Sequence, residues 1–361
     1  MLLLTESPGG VDRQRPHQMS FAARADPGRN DNREQPNPCL VNQAISATSE
    51  FPVLVVGAGA IGGYFGSLLS RGGHPVTMLA RGAHLEAIRS GGFRIEDGPD
   101  AGVAAVEAVA SLTEAAPPRL VLFAVKAYDS ELLARQLAPL LPDDAIVLEL
   151  QNGVDRADEL RRPLGDRVLA STVYMESHIA SAGTVRYLSG ARSIHLGEPD
   201  GSGLTPRAAR VGRILEEAGI DARVYADVRP ALWGKFVLVC AANSLTALTQ
   251  RRFGDVIALP LGRDVVAGLI SEAVAVGEAS GVDLGEDVVE RSVAFLEELG
   301  PRLRSSMLRD IERHRQVEVD ALNGTVVRLG DELGVEVPMN RIVTLALRAH
   351  NERILAEQVA R

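Results

Sequence analysis

Four consecutive apolar residues, Val53–Val56, run directly into a glycine-rich turn, after which Tyr64, Phe65, Leu68 and Leu69 recur at helical spacing. That pattern predicts a short parallel strand buried on both faces, a tight turn and a helix. Alternation of strand and helix patterns then continues. A second strand is expected over 74–81, a helix over 83–90, and strand-like pieces at a sheet edge over 93–96 and 103–110. The run over 119–128 reads as a buried strand. A helix carrying Leu132, Leu133, Leu137 and Leu140 follows, stopped by Pro142, and 145–153 supplies the next strand. Residues 167–198 alternate as several strands with glycine-containing turns, read as antiparallel additions. A helix over 204–218 and a strand over 223–225 close this half.

Beyond residue 226 the strand signals stop. Windows at 233–248, 265–280, 287–299, 315–332 and 340–358 carry apolar residues every three to four positions, with Gly or Pro breaks between them. The expected fold class is α/β: a Rossmann-type doubly wound sheet over 51–226, followed by an all-helical C-terminal domain over 227–361. Residues 1–50 are rich in Arg, Asn, Asp, Pro and Ser without apolar periodicity, and are read as a disordered N-terminal extension.

Composition narrows the classes of function. A chain of 361 residues with 46% hydrophobic and 24% charged residues suits a soluble two-domain protein. A net charge of -9 with no Lys/Arg stripe argues against nucleic acid as a partner. The two cysteines, Cys39 and Cys240, provide neither a disulfide framework nor a cysteine-based metal site, which suits a cytoplasmic location. No continuous apolar run reaches the roughly 18–20 residues of a membrane span, and the opening MLLL is too short for a signal-peptide core.

The glycines carry the first chemistry. Gly57, Gly59 and Gly62 have G-x-G-x-x-G spacing within the segment Gly57, Ala58, Gly59, Ala60, Ile61, Gly62, between a strand and a helix as a dinucleotide turn requires. Phosphates would then rest on free N–H groups at a helix N-terminus. Where an NAD-binding fold usually ends its second strand in Asp or Glu, this chain has Ala80 and Arg81. An arginine there can meet a 2′-phosphate, so NADPH is favoured over NADH, unless Arg81 is a solvated loop charge.

Ligands of such sheets bind beyond the carboxyl ends of the strands, where Lys126 and Asn152 fall. Each has a plainer alternative, a solvated lysine and an Asn-Gly turn residue. Lys235 opens an apolar helical stretch with Asn243 two turns later on nearly the same face; it is either a proton donor of lowered pKa at a cleft or a lysine snorkelling from a helix start. Ser305 and Ser306 can cap a helix. Glu318 and Asp320 are two apart, so if the segment were helical at most one would point into a cleft, and from the residues alone both read as solvated charges.

Taken together and in order, G-A-G-A-I-G at 57–62, A-V-K-A-Y at 124–128, Q-N-G at 151–153, L-W-x-K-F at 232–236, S-S-M-L-x-D-I at 305–311 and E-x-D-x-x-N-G at 318–324 resemble the ketopantoate reductase family. The resemblance runs from Pro52 to the C-terminus. It implies NADPH-dependent reduction of 2-dehydropantoate in pantothenate and coenzyme A biosynthesis. It also implies that Lys235 is the proton donor and Glu318 its acidic partner, that Asn243, Ser306 and Asn152 hold the 2-oxo acid, and that the 57–62 turn, Arg81, Lys126 and Asn152 contact NADPH. The segment near Glu176 would touch the cofactor as well.

Two positions depart from the family's pattern. Val239 and Phe253 stand where better-known members carry asparagines, so a polar pocket wall is expected to be apolar. A paralogous reductase of a more apolar 2-oxo acid is therefore an alternative, and a non-catalytic NADP-binding protein is another. A helical second domain of this size offers a homodimer surface.

Overall fold

The computed structural model describes residues 51–299 and 303–360, so the extension expected over 1–50 lies outside the described residues. The chain begins β1 (Val53–Val56), α1 (Ala60–Arg71), β2 (Val76–Leu79), α2 (Gly82–Gly91), β3 (Phe93–Glu96), β4 (Gly102–Ala104), β5 (Glu107–Val109) and β6 (Leu120–Phe123). It continues α3 (Ser130–Leu137), β7 (Ile146–Glu149), α4 (Arg156–Leu164), β8 (Val168–Ser181), β9 (Thr184–Gly197), α5 (Pro206–Glu217) and β10 (Asp221–Tyr225). The sheet order is β4-β3-β9-β8-β7-β6-β1-β2-β5, with β10 on β9.

From β5 through β2, β1, β6 and β7 to the start of β8 every pairing is parallel. Side chains alternate between the two faces of each strand, and both faces are covered. Val53 and Val55 pack with Tyr64, Phe65 and Leu69 of α1 and Val211 and Leu215 of α5. Leu54 and Val56 pack on the other side with Ala134 and Leu137 of α3 and Ala157 and Leu160 of α4. The sheet is thus a Rossmann-type doubly wound one. Its far end curls over, so that α1 touches β1 and β2 on one side and β3, β4, β8 and β9 on the other. Tyr64, Phe65 and Leu69 are fully buried as a result, each contributing about 1.5–3 kcal/mol of transfer free energy.

Two expectations are corrected here. Residues 103–110 do not form one edge piece: β4 lies at one edge of the sheet and β5 at the other, because the curl brings the two edges to opposite sides of the same helix. Ser70 of α1 donates to the Ala105 carbonyl between them at 2.5 Å. Residues 167–198 form not several strands but two of 14 residues, β8 and β9, paired antiparallel around a turn at Gly183, whose φ is +68°.

The remainder is helical: α6 (Arg229–Thr249), α7 (Phe253–Ile257), α8 (Gly262–Ala279), α9 (Val288–Leu299), α10 (Ser306–Glu312), α11 (Asn323–Leu333) and α12 (Pro338–Val359). By length and composition α6 could cross a bilayer, but 72% of its apolar window is buried inside the protein, as befits a core helix. The helix expected over 315–332 begins only at Asn323. Ahead of it Val317 and Val319 are buried, Glu318 is half-buried against the end of β6 and Asp320 is exposed, so the chain there does not present the regular face of a helix. Asn351 holds that segment, accepting from the Val317 N–H at 2.8 Å and donating to its carbonyl at 2.9 Å, so the groups a helix would use are already paired.

Candidate active site

The glycine turn sits at the carboxyl end of β1. Gly57 has φ +104°, and a Cβ there would fall 2.8 Å from the Val125 side chain. At Gly62 a Cβ would lie 2.3 Å from the Gly57 carbonyl oxygen, so only glycine lets α1 start this close to the strand. A Cβ built on Gly59 meets nothing within 4 Å. The surface above it is open. The first intrahelical bond of α1 runs from the Gly63 N–H to the Gly59 carbonyl at 2.9 Å, leaving the N–H groups of Ala60, Ile61 and Gly62 ahead of the ladder. No acidic residue occupies that first turn and no side chain caps it. An open cradle, free N–H donors and the positive end of a helix fit the pyrophosphate of a dinucleotide.

Ala58 takes another part in the turn. Its N–H donates to the Leu79 carbonyl at 3.2 Å, and its own carbonyl lies 2.7 Å from His84 Nε2. The Gly183 N–H donates to His84 Nδ1 at 2.9 Å, which fixes the proton on Nε2 and makes the ring the donor to Ala58. His84 therefore braces the glycine turn against the β8–β9 hairpin. Nothing in the sequence marked it, since a lone histidine in an amphipathic helix has no signature. Arg81, just after Ala80 at the end of β2, is exposed and its guanidinium makes no hydrogen bond or ion pair among the described residues.

Lys235 stands on the second turn of α6. Its Nζ donates to Asn152 Oδ1 at 2.8 Å, joining the helix to the turn after β7. Desolvation lowers the ammonium to about pKa 8, with the Glu149 carboxylate acting in the opposite direction. Asn152, Lys235, Phe236, Val239, Thr172 and Leu322 line a narrow cavity at this junction.

Eight residues on from Lys235, Asn243 donates to Ser306 Oγ at 3.3 Å. Ser305 caps α10 by accepting from the Leu308 N–H at 3.0 Å, and its hydroxyl meets Thr246 Oγ1 at 2.6 Å. That contact ties the start of α10 to α6 and sets Ser306 beside Asn243.

The acidic partner differs from expectation. Glu318 does not pair with Lys235: its Oε2 lies 2.7 Å from Lys126 Nζ and its Oε1 accepts from the Ala127 N–H at 3.0 Å. Asp310 makes a second bond to Lys126 at 2.9 Å. The reason is reach. The non-helical chain at 317–319 aims Glu318 at the end of β6, where Lys126 stands, while Lys235 is taken by the end of β7. Burial alone would lower the Lys126 ammonium, but the charges of Glu318 and Asp310 outweigh it and hold the group well above the ordinary lysine value. Asp310 belongs to the S-S-M-L-x-D-I stretch yet had no assigned part. Its signal was there, four residues after Ser306 on the same helix face.

Two further expectations are sorted by position. Val239 lines the cavity, so that wall is apolar. Phe253 does not: it is fully buried in the core of the helical part, at the start of α7, among Val256, Leu269 and Ile270. Glu176 is engaged by Arg309 of α10 and by Ser189.

A parallel sheet with a glycine turn opening α1, and a lysine brought to its carboxyl edge by a helical second part, define a Rossmann-type oxidoreductase of the nicotinamide-dependent class. The chain belongs to the ketopantoate reductase family. Residues 53–201 match the family described as Ketopantoate reductase PanE/ApbA, and residues 227–351 match Ketopantoate reductase PanE/ApbA C terminal. A 2-dehydropantoate 2-reductase of Mesorhizobium japonicum is 33% identical over 328 residues, which is 83% of this chain and 98% of that relative. One of Archaeoglobus fulgidus is 31% identical over 296 residues, 82% of this chain and 96% of the relative. The crystal structure of a PanE/ApbA family ketopantoate reductase from Ralstonia eutropha is 35% identical with a TM-score of 0.78, covering 84% of this chain and all of that one.

Proposed function

We propose that the protein reduces 2-dehydropantoate to pantoate with NADPH, within pantothenate and coenzyme A biosynthesis, using residues 51–226 as the nucleotide part and 227–361 as the substrate part. The observation that carries this reading is the Lys235–Asn152 bond, which holds a desolvated ammonium at the sheet's carboxyl edge. NADPH, when bound along 57–62 in contact with Arg81, Lys126 and Asn152, supplies a hydride for C2 of the oxo acid. The rest is side-chain work. Lys235 gives its proton to the oxygen as negative charge develops there, and Asn152 keeps the ammonium aimed. Asn243 and Ser306, already adjacent at 3.3 Å, bind the substrate's hydroxyl and carboxylate. Glu318 contributes through Lys126 and the substrate rather than through Lys235.

Oxidation of NADPH in the presence of 2-dehydropantoate tests this reading, and repetition with NADH tests the coenzyme. Absence of turnover with either would refute it. A second reading follows from Val239 at the cavity wall: the same chemistry on a more apolar 2-oxo acid, distinguished by kcat/KM across a panel of such acids. Tight NADPH binding with no turnover on any oxo acid would instead identify a non-catalytic binding protein. A cytoplasmic homodimer joined through the helical part completes the proposal.

A further inference from the structure

The peptide between Ala58 and Gly59 lies in the middle of the glycine turn, and its two polar groups face opposite ways. A planar trans peptide points its C=O and N–H in opposite directions, and the Ala58 carbonyl is directed at His84 of α2, 2.7 Å from Nε2. The Gly59 N–H is therefore turned away from α2, and it has no hydrogen-bond partner among the described residues. Beside it the surface is open, since a Cβ on Gly59 would meet nothing within 4 Å. Glycine has no side chain to resist rotation of the peptide before it, so the direction of this N–H needs a hold from outside the turn.

The imidazole of His84 is fixed on two sides. Gly183, in the turn between β8 and β9, donates its N–H to Nδ1 at 2.9 Å, and the Phe93 ring meets the imidazole edge to face with centroids 5.8 Å apart. Phe93 in turn lies over the start of α1, where a Cβ on Gly63 would fall 2.1 Å from its ring. With Nδ1 accepting, the ring's proton sits on Nε2, which suits a carbonyl and opposes a peptide flipped to present its N–H.

We propose that His84 is a positioning residue for the coenzyme: by holding the Ala58 carbonyl it keeps the Gly59 N–H presented to the pyrophosphate of the dinucleotide. The proposal rests on the nicotinamide-dependent reading above. His84 acts through the 58–59 peptide rather than on the coenzyme. Loss of the bond at Nε2 frees that peptide to turn, and binding then carries the cost of turning it back.

Two substitutions separate the ring nitrogens. The amide nitrogen of glutamine falls where Nε2 lies and keeps the donor to Ala58, whereas the amide oxygen of asparagine falls where Nδ1 lies and keeps only the acceptor for Gly183. The test is fluorescence titration of the full chain with NADPH. The dissociation constant should rise about five- to tenfold in His84→Asn, the worth of one lost hydrogen bond, and stay within about twofold of wild type in His84→Gln. Equal losses in both variants, a loss confined to His84→Gln, or no loss in either would overturn the proposal, because the ring would then serve only as packing or as a brace for the hairpin. These outcomes leave the coenzyme reading intact; a wild type that binds neither NADPH nor NADH refutes that reading and the proposal with it. Should either variant not fold, 15N-glycine labelling of the wild type decides. The Gly59 amide resonance, assigned by its loss in Gly59→Ala, should move on addition of NADPH, and one that stays in place while the Gly62 amide moves overturns the proposal.

Discussion

Lys126 Nζ and Glu318 Oε2 lie 2.7 Å apart across a sequence separation of 192 residues, and this contact fastens the end of β6 to the chain entering α11. Asp310 completes a triad around the same ammonium.

Removing the lysine leaves two carboxylates facing each other, whereas removing one carboxylate leaves an ion pair. Lys126→Ala should therefore destabilise the protein by about 1–3 kcal/mol and more than Glu318→Gln does, the side chain being partly solvent-exposed and so worth less than a fully buried pair. Urea denaturation at low and high salt measures this, and the gap between the two variants should narrow as salt rises.

Lys235→Ala should lower turnover by two to four decades, roughly the span of general acid catalysis, while leaving the dissociation constant of NADPH close to wild type. The sign of the pH dependence follows from the lowered pKa. The working form is the protonated one, so kcat/KM for reduction is level below about pH 8 and falls about tenfold per unit above it. A pH-rate profile with a rising basic limb would exclude Lys235 as the acid.

At the glycine turn, two alanine substitutions separate folding from binding. Gly62→Ala places a methyl 2.3 Å from the Gly57 carbonyl, in contact with backbone that cannot swing away, and should lower the melting temperature sharply or prevent folding. Gly59→Ala meets no protein atom, so its melting temperature should stay near wild type while NADPH affinity, read by fluorescence titration, falls. Equal effects on stability from both would contradict the role given to position 59.

Arg81→Ala should weaken NADPH binding by about tenfold to a hundredfold, the worth of one charge-assisted contact to a phosphate, and should leave NADH binding nearly unchanged. Calorimetric titration of both coenzymes against both proteins measures the difference.

The organisation of this chain was legible at residue level wherever periodicity and turn chemistry are local. β1, the glycine turn and α1 follow from four apolar residues, three glycines and a 3.6-residue repeat, and the switch to helices after β10 follows from the change of period. Lys235, Asn152, Asn243 and Ser306 were found as residues whose type and position suit the chemistry, but the bonds Lys235–Asn152 and Asn243–Ser306 belong to the structure alone. So does the partner of Glu318. Which ammonium a carboxylate reaches depends on whether 315–322 is helical, and that was decided by the Asn351 clamp, 34 residues further on.

What the sequence by itself determined is the kind of protein: a parallel sheet with a dinucleotide turn, a helical second part and a family's ordered motifs, all written in short-range patterns that hold without knowledge of neighbours. What only the tertiary structure decided is pairing. The curl that sends β4 and β5 to opposite edges, the burial of Phe253 in a core rather than a pocket and the triad at Lys126 all depend on distances between residues remote in the chain. Charge and desolvation act through space, so a side chain's partner and its proton affinity are properties of the folded molecule and not of the order of its residues.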